Sequence, residues 1–181
     1  MRKKIHWITE TAVMLALLVA LQALTKPAGQ YVTGSAVNAV LAVTVLLAGL
    51  GSGIVVALVS PVLAYLFGIA PMPLAVPAIM AGNTVYVLLL HWIAGKADCG
   101  GIRKAAAWLS AAAAKFAALY GIVVWLICGV LAEKLLTAGM MKEPMLKALP
   151  VMFSWPQLIT ALIGGGVALL ITPIVRKALR R

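Results

Sequence analysis

The chain is a succession of long apolar runs broken by glycine, proline and charge. A helix needs about 20 apolar residues to cross a bilayer, fewer when it is packed among others. The pattern predicts six spans, at about 7–25, 36–50, 54–70, 74–94, 105–132 and 155–175. "GLGSG", Gly49 to Gly53, reads as the tight turn between the second and third. The fourth opens in the proline-rich "APMPLAVP". The second and third spans are short, so a count of five stays open. The expected fold is an all-α integral membrane protein, a six-transmembrane-helix bundle forming one domain over 1–181.

Composition strengthens this reading. The 181 residues are 64% hydrophobic and only 10% charged, where a soluble domain is near half apolar and about a quarter charged. The opening "MRKKIHWITETAVMLALLVALQAL" has the layout of a signal peptide. "LQALTKPAG" is a poor cleavage site and further apolar runs follow, so it reads as a retained first span.

Net charge is +11, which in a soluble protein would suggest nucleic acid. Here the cations lie mostly between apolar runs, as topology signals do. No aromatic-basic module of a nucleic-acid binder is present. Six spans put both ends on one side. With that side cytoplasmic, the inner segments hold ten of the 15 Lys and Arg: Arg2, Lys3, Lys4, Lys96, Arg103, Lys104, Arg176, Lys177, Arg180 and Arg181. Four are outside, Lys26, Lys134, Lys142 and Lys147. The bias predicts cytoplasmic termini. The last outer segment, "EKLLTAGMMKEPMLKALPVMFSW", is long and partly amphipathic: a helix lying on the membrane or a lid over a pocket.

Several chemistries lack their residues. The acids Glu10, Asp98, Glu133 and Glu143 all map to span ends or loops, so no carboxylate relay crosses the membrane. His6 and His91 are far apart, and no set of metal ligands is visible. Cys99 and Cys128 read as two free thiols. "GLGSG" lacks the phosphate-loop pattern. Neither an enzyme nor a bound cofactor is expected, and any uphill transport needs energy from a partner.

On span one, Ala12, Ala16 and Ala20 share a helix face at four-residue spacing, with Ala23 following. A small-residue stripe lets another helix approach closely in lipid; that helix belongs either to the same bundle or to a partner.

Taken together, the stripe in "AVMLA" and "ALLVA", "VNAVL" on span two, "AGNTVYV" on span four, "KFAALY" on span five and "FSWPQLITALIGGG" opening span six carry a resemblance. With the six spans and the basic N-terminus, the chain resembles the S components of energy-coupling-factor (ECF) vitamin transporters over essentially its whole length. The resemblance implies a substrate-capturing subunit in the plasma membrane of a prokaryote. It would take a vitamin or other micronutrient from outside and work with a transmembrane coupling protein and two ATPase subunits. Ala12, Ala16 and Ala20 would face the coupling protein, the subunit tilting among membrane lipids to carry its site inward. No signature ties the sequence to one vitamin.

The family binds its ligand toward the outer side. Polar candidates are few. Asn38 sits near the outer end of span two and Asn83 near the middle of span four. A buried amide needs its hydrogen bonds satisfied, so each either bridges helix backbones or meets a ligand. Tyr31, beside Gln30 in the first outer loop, and Trp155 and Gln157 at the start of span six are interface anchors or pocket walls. Gly164 to Gly166 suit close helix contact or bending, close contact being preferred.

Lys115 is the sharpest anomaly. A lysine at bilayer centre costs roughly 2.5–3.5 kcal/mol on insertion scales. It snorkels inward, or span five starts near Phe116, or it meets an anion inside the bundle. No intramembrane acid is available to pair with it, which leaves a ligand carboxylate or phosphate. Tyr120, five residues on, is a further pocket candidate. A stand-alone small transporter or facilitator is the alternative function, and a ligand-free assembly protein a third.

Overall fold

A computed structural model of the chain describes residues 2–69, 72–94 and 100–179. Lys96, Asp98, Cys99, Arg180 and Arg181 lie outside the described residues. The structure is all-helical, with no strand among the described residues. In order come α1 (Arg2–Thr25), a 3₁₀ turn (Lys26–Ala28), α2 (Gln30–Leu47), α3 (Leu50–Leu66), α4 (Ala75–Ala94), α5 (Gly101–Leu119), a π-helix (Tyr120–Val130), α6 (Ala132–Thr137), α7 (Glu143–Met152) and α8 (Trp155–Leu179).

Among the described residues, five helical stretches are long and apolar enough to cross a membrane: Lys4–Ala28, Gln30–Leu47, Ala75–Ala94, Gly101–Val130 and Trp155–Leu179. The third apolar helix, α3, has 17 residues, about 25 Å of rise against a hydrocarbon core of about 30 Å. The second and third helices also start earlier than the hydrophobic runs predict. Only Gly49, at φ 88, turns the chain, because that conformation is open to glycine at no steric cost. Gly51, Ser52 and Gly53 belong to α3, and a Cβ on Gly53 would press into Val87 and Val45. The rest of "GLGSG" is therefore a packing face. Gly29, also at φ 88, likewise turns the chain into α2, so Gln30 and Tyr31 are its first helical residues and not loop.

α2 is central and touches α1, α3, α4 and α8. Its seam with α8 needs glycine. A Cβ on Gly164 would lie under 3 Å from α2 backbone at Ser35 and Ala39, and one on Gly165 would strike Trp108 and Tyr86. The triple glycine thus serves close contact, with the Trp108 indole donating to the Leu162 carbonyl at 2.9 Å. Across the other seam, Gly82 of α4 leaves room for Leu119 of α5.

Along α5 and the π-helix, buried positions recur every four residues, at Ala107, Ala111, Lys115, Leu119, Val123 and Ile127. In an α-helix each four-residue step drifts by about 40°. The wider π turn takes more residues per turn, so it swings Val123 and Ile127 back toward the bundle.

At one end of the bundle, Thr11 bonds Ser52, the Arg103 side chain donates to the Ile93 carbonyl, and Arg176 donates to the Leu46 carbonyl. At the other, Lys26 donates to the Gly68 carbonyl and Gln30 to the Met152 carbonyl. α1 is peripheral, burying only Thr11 and Leu18 among its described side chains.

Candidate functional site

Three helices deliver one polar residue each to the same point. On α2, Asn38 shares a buried face with Leu41, Ala42 and Val45, the spacing of one helix stripe. On α4, Asn83 lies in the stripe of Ala75, Ala78, Gly82, Tyr86, Val87 and Leu90. On α5, Lys115 continues the alanine stripe. The Lys115 ammonium donates to Asn38 Oδ1 at 2.6 Å and to Asn83 Oδ1 at 2.7 Å, and sits 5.5 Å from the centroid of the Tyr86 ring. Lys115 is 3% exposed. Its side chain turns into the bundle and does not snorkel along the helix. Two neutral amide oxygens and an aromatic face surround the ammonium, an arrangement that favours a cation.

The amide orientations follow from the cation. Lysine donates and cannot accept, so both asparagines must present oxygen to it. Asn38 is then fully engaged: its Nδ2 donates to the Gly34 carbonyl at 2.9 Å and faces Thr160 Oγ1 at 3.4 Å. Asn83 is not; its Nδ2 is buried without a partner.

A cavity of about 280 Å³ reaches this point from the end of the bundle that carries the α1–α2 turn. Asn38, Asn83 and Lys115 line it deep in the bundle, while Gln30, Phe153 and Gln157 line it near the α7–α8 junction. The Gln30 and Gln157 amides both donate to the Met152 carbonyl at the end of α7. α7 buries Leu149, with Phe153 just beyond it, against a cluster that includes Met72, Leu119 and Val123. The segment 132–152 therefore forms two short helices at this end of the bundle, and α7 borders the cavity mouth.

Of the residues singled out from the sequence, Asn38, Asn83, Lys115 and Gln157 come together around this cavity, and Gln30 joins them. Tyr31, Tyr120 and Trp155 do not line it; they are 52%, 45% and 65% exposed. The reason is helical rotation. Tyr120 is about 140° around the helix from Lys115, Trp155 about 160° from Gln157, and Tyr31 about 100° from Gln30. Trp155 stacks on Phe116, ring centroids 5.5 Å apart, and Phe116 meets Tyr120 at 5.8 Å. These rings form an aromatic cluster beside the cavity. Ala12, Ala16 and Ala20 are all exposed, so their stripe does not pack inside the bundle. His6 pairs with Glu10 at 2.9 Å on the surface of α1.

Sequence reasoning missed Gln22, which lines the cavity and whose Oε1 is buried without a partner. The signal was a lone amide in the apolar run "ALLVALQAL". It also missed Tyr86, fully buried beneath the ammonium, although Tyr86 stands one turn after Asn83. Compared with known protein families, curated proteins and solved structures, the chain matches none.

Proposed function

We propose that this chain is the substrate-capturing S component of an ECF-type importer, taking up a vitamin or related micronutrient. It sits in the plasma membrane of a prokaryote with six crossings, α3 being a short one, and with both termini in the cytoplasm. The basic residues of the sequence bias the termini to that side. The cavity then opens outward, where a nutrient is met.

The observation that carries the reading is the separation of two surfaces on one helical bundle. A cavity between α1, α2, α4, α5 and α8 reaches a buried lysine, while the small-residue face of α1 at Ala12, Ala16 and Ala20 is left exposed. An exposed small-residue stripe suits close approach of a second helix. A transmembrane coupling protein and two ATPase subunits supply the ATP hydrolysis for which this sequence carries no phosphate-loop motif. The chain itself is a carrier of its ligand and not an enzyme.

The test is reconstitution. Purified chain in liposomes, alone and with the coupling protein and both ATPases, is assayed for nutrient uptake with and without ATP. Uptake is expected only with the full set and ATP. Equal flux from the chain alone would make it a self-sufficient facilitator and sink the proposal.

A further inference from the structure

The polar groups deep in the cavity are unbalanced in a particular way. An ammonium has three donors, and two of those of Lys115 go to Asn38 Oδ1 and Asn83 Oδ1. No protein acceptor takes the third among the described residues. The amide that receives Lys115 on its oxygen carries an orphan donor on its nitrogen, Asn83 Nδ2. Ammonium and orphan donor therefore share one corner of the cavity wall, and both call for an acceptor. Lys26, also lining the cavity, adds a second cation near the α1–α2 turn, and no carboxylate lines it among the described residues. Among the described residues that line the cavity, the orphan of opposite sense is Gln22 Oε1, an acceptor that calls for a donor.

Two adjacent donors, one of them charged, match the two oxygens of a carboxylate. A phosphate monoester carries close to two charges and three acceptor oxygens, more than the one ammonium and one orphan amide donor at this corner; Lys26 stands apart, near the α1–α2 turn. A cationic ligand has no counter-charge to meet. A volume of about 280 Å³ is close to the lower end of ordinary small-molecule sites.

Resting on the capture reading above, we propose that this cavity selects a small organic monocarboxylate, its carboxylate taken by Lys115 and Asn83 and a hydrogen-bond donor of the same molecule taken by Gln22. Gln30 and Gln157, joined through the Met152 carbonyl, border the mouth through which it enters.

The probe is a deproteinised bacterial metabolite extract, used as prepared and after amidation of its carboxyl groups with carbodiimide and ammonia. Detergent-purified full chain is incubated with each, and bound small molecules are identified by native mass spectrometry. The expected result is a monocarboxylate enriched on the wild type and at least tenfold weaker from the amidated extract. Lys115→Met should weaken its retention about a hundredfold. Because that variant also cuts two interhelical bonds, Asn83→Asp is the second arm. It gives Lys115 a carboxylate partner and removes the orphan donor. It should keep or raise the melting temperature while losing the ligand about a hundredfold. Gln22→Leu removes a group that has no protein partner at its oxygen and should weaken retention about tenfold. A retained molecule without a carboxylate, or equal retention by folded Asn83→Asp, overturns the monocarboxylate proposal and leaves the capture reading standing. No molecule enriched on folded wild type overturns both.

Discussion

α1 and α5 carry the same motif and meet opposite fates. Each places small residues four apart: Ala12, Ala16 and Ala20 on one, Ala107 and Ala111 leading to Lys115 on the other. On α5 the stripe is buried and ends on the ammonium that α2 and α4 hold. On α1 the stripe is exposed, and the opposite face supplies the buried Thr11 and Leu18. Small-residue spacing thus reports that a helix can be approached closely, but not by what. What differs is the rest of the turn. α5 must bring a charge to its partners, so its alanines are drawn into the core. α1 offers larger residues on its other side for that purpose.

The comparison breaks most visibly where space has run out. Gly164→Val sets side-chain atoms against the α2 backbone at Ser35 and Ala39, which cannot move aside. No monodisperse protein is expected on size exclusion, a loss above the roughly 1–3 kcal/mol of ordinary overpacking. Ala111→Leu, on the buried stripe, should fold but lose about 1–3 kcal/mol, read as a fall in melting temperature in detergent. Ala16→Leu, its counterpart on α1, should change stability by less than about 0.5 kcal/mol. It should keep ligand binding and abolish ATP-driven uptake with the partner subunits. If Ala16→Leu destabilises as much as Ala111→Leu, the two stripes are equivalent and the contrast fails. The most local effect belongs to the mouth. Gln157→Leu removes one of two donors to the Met152 carbonyl, with Gln30 remaining. About 1 kcal/mol of local stability is at stake, seen as faster hydrogen exchange in 143–152 with the rest of the bundle unchanged.

The helical, membrane-suited character of the chain was legible because hydropathy and length report it directly. Helix boundaries were less so. α3 begins at Leu50 because a glycine needed for a turn and glycines needed for packing read alike in "GLGSG". The π-helix had no sequence signal; it answers to the rotation that Val123 and Ile127 require once α5 is packed. At the site, Asn38, Asn83, Lys115 and Gln157 stood out as polar residues in apolar surroundings. Their assembly did not, because no acid within the apolar runs marks a partner for the lysine. An ammonium is equally served by amide oxygens brought from helices distant in sequence, and only packing brings them together. Tyr31 and Trp155 were misleading for the opposite reason: an amphipathic ring at a span end looks the same whether it faces a cavity or the outside. Tyr120, in mid-span, lies too far around the helix from Lys115 to share its face. The segment 133–155 reads from its sequence either as a helix lying on the membrane or as a lid; within it, α7 buries Leu149.

The lysine cluster also has a direction in time. Asn38 and Asn83 precede Lys115 in the chain, and a protein is made from its N-terminus. When the helix bearing the charge leaves the ribosome, both amides that will receive it have already been synthesised, each on its own hydrophobic segment. The cation is the last of the three to arrive, so its burial closes a cage whose other walls are neutral and can wait in lipid without it.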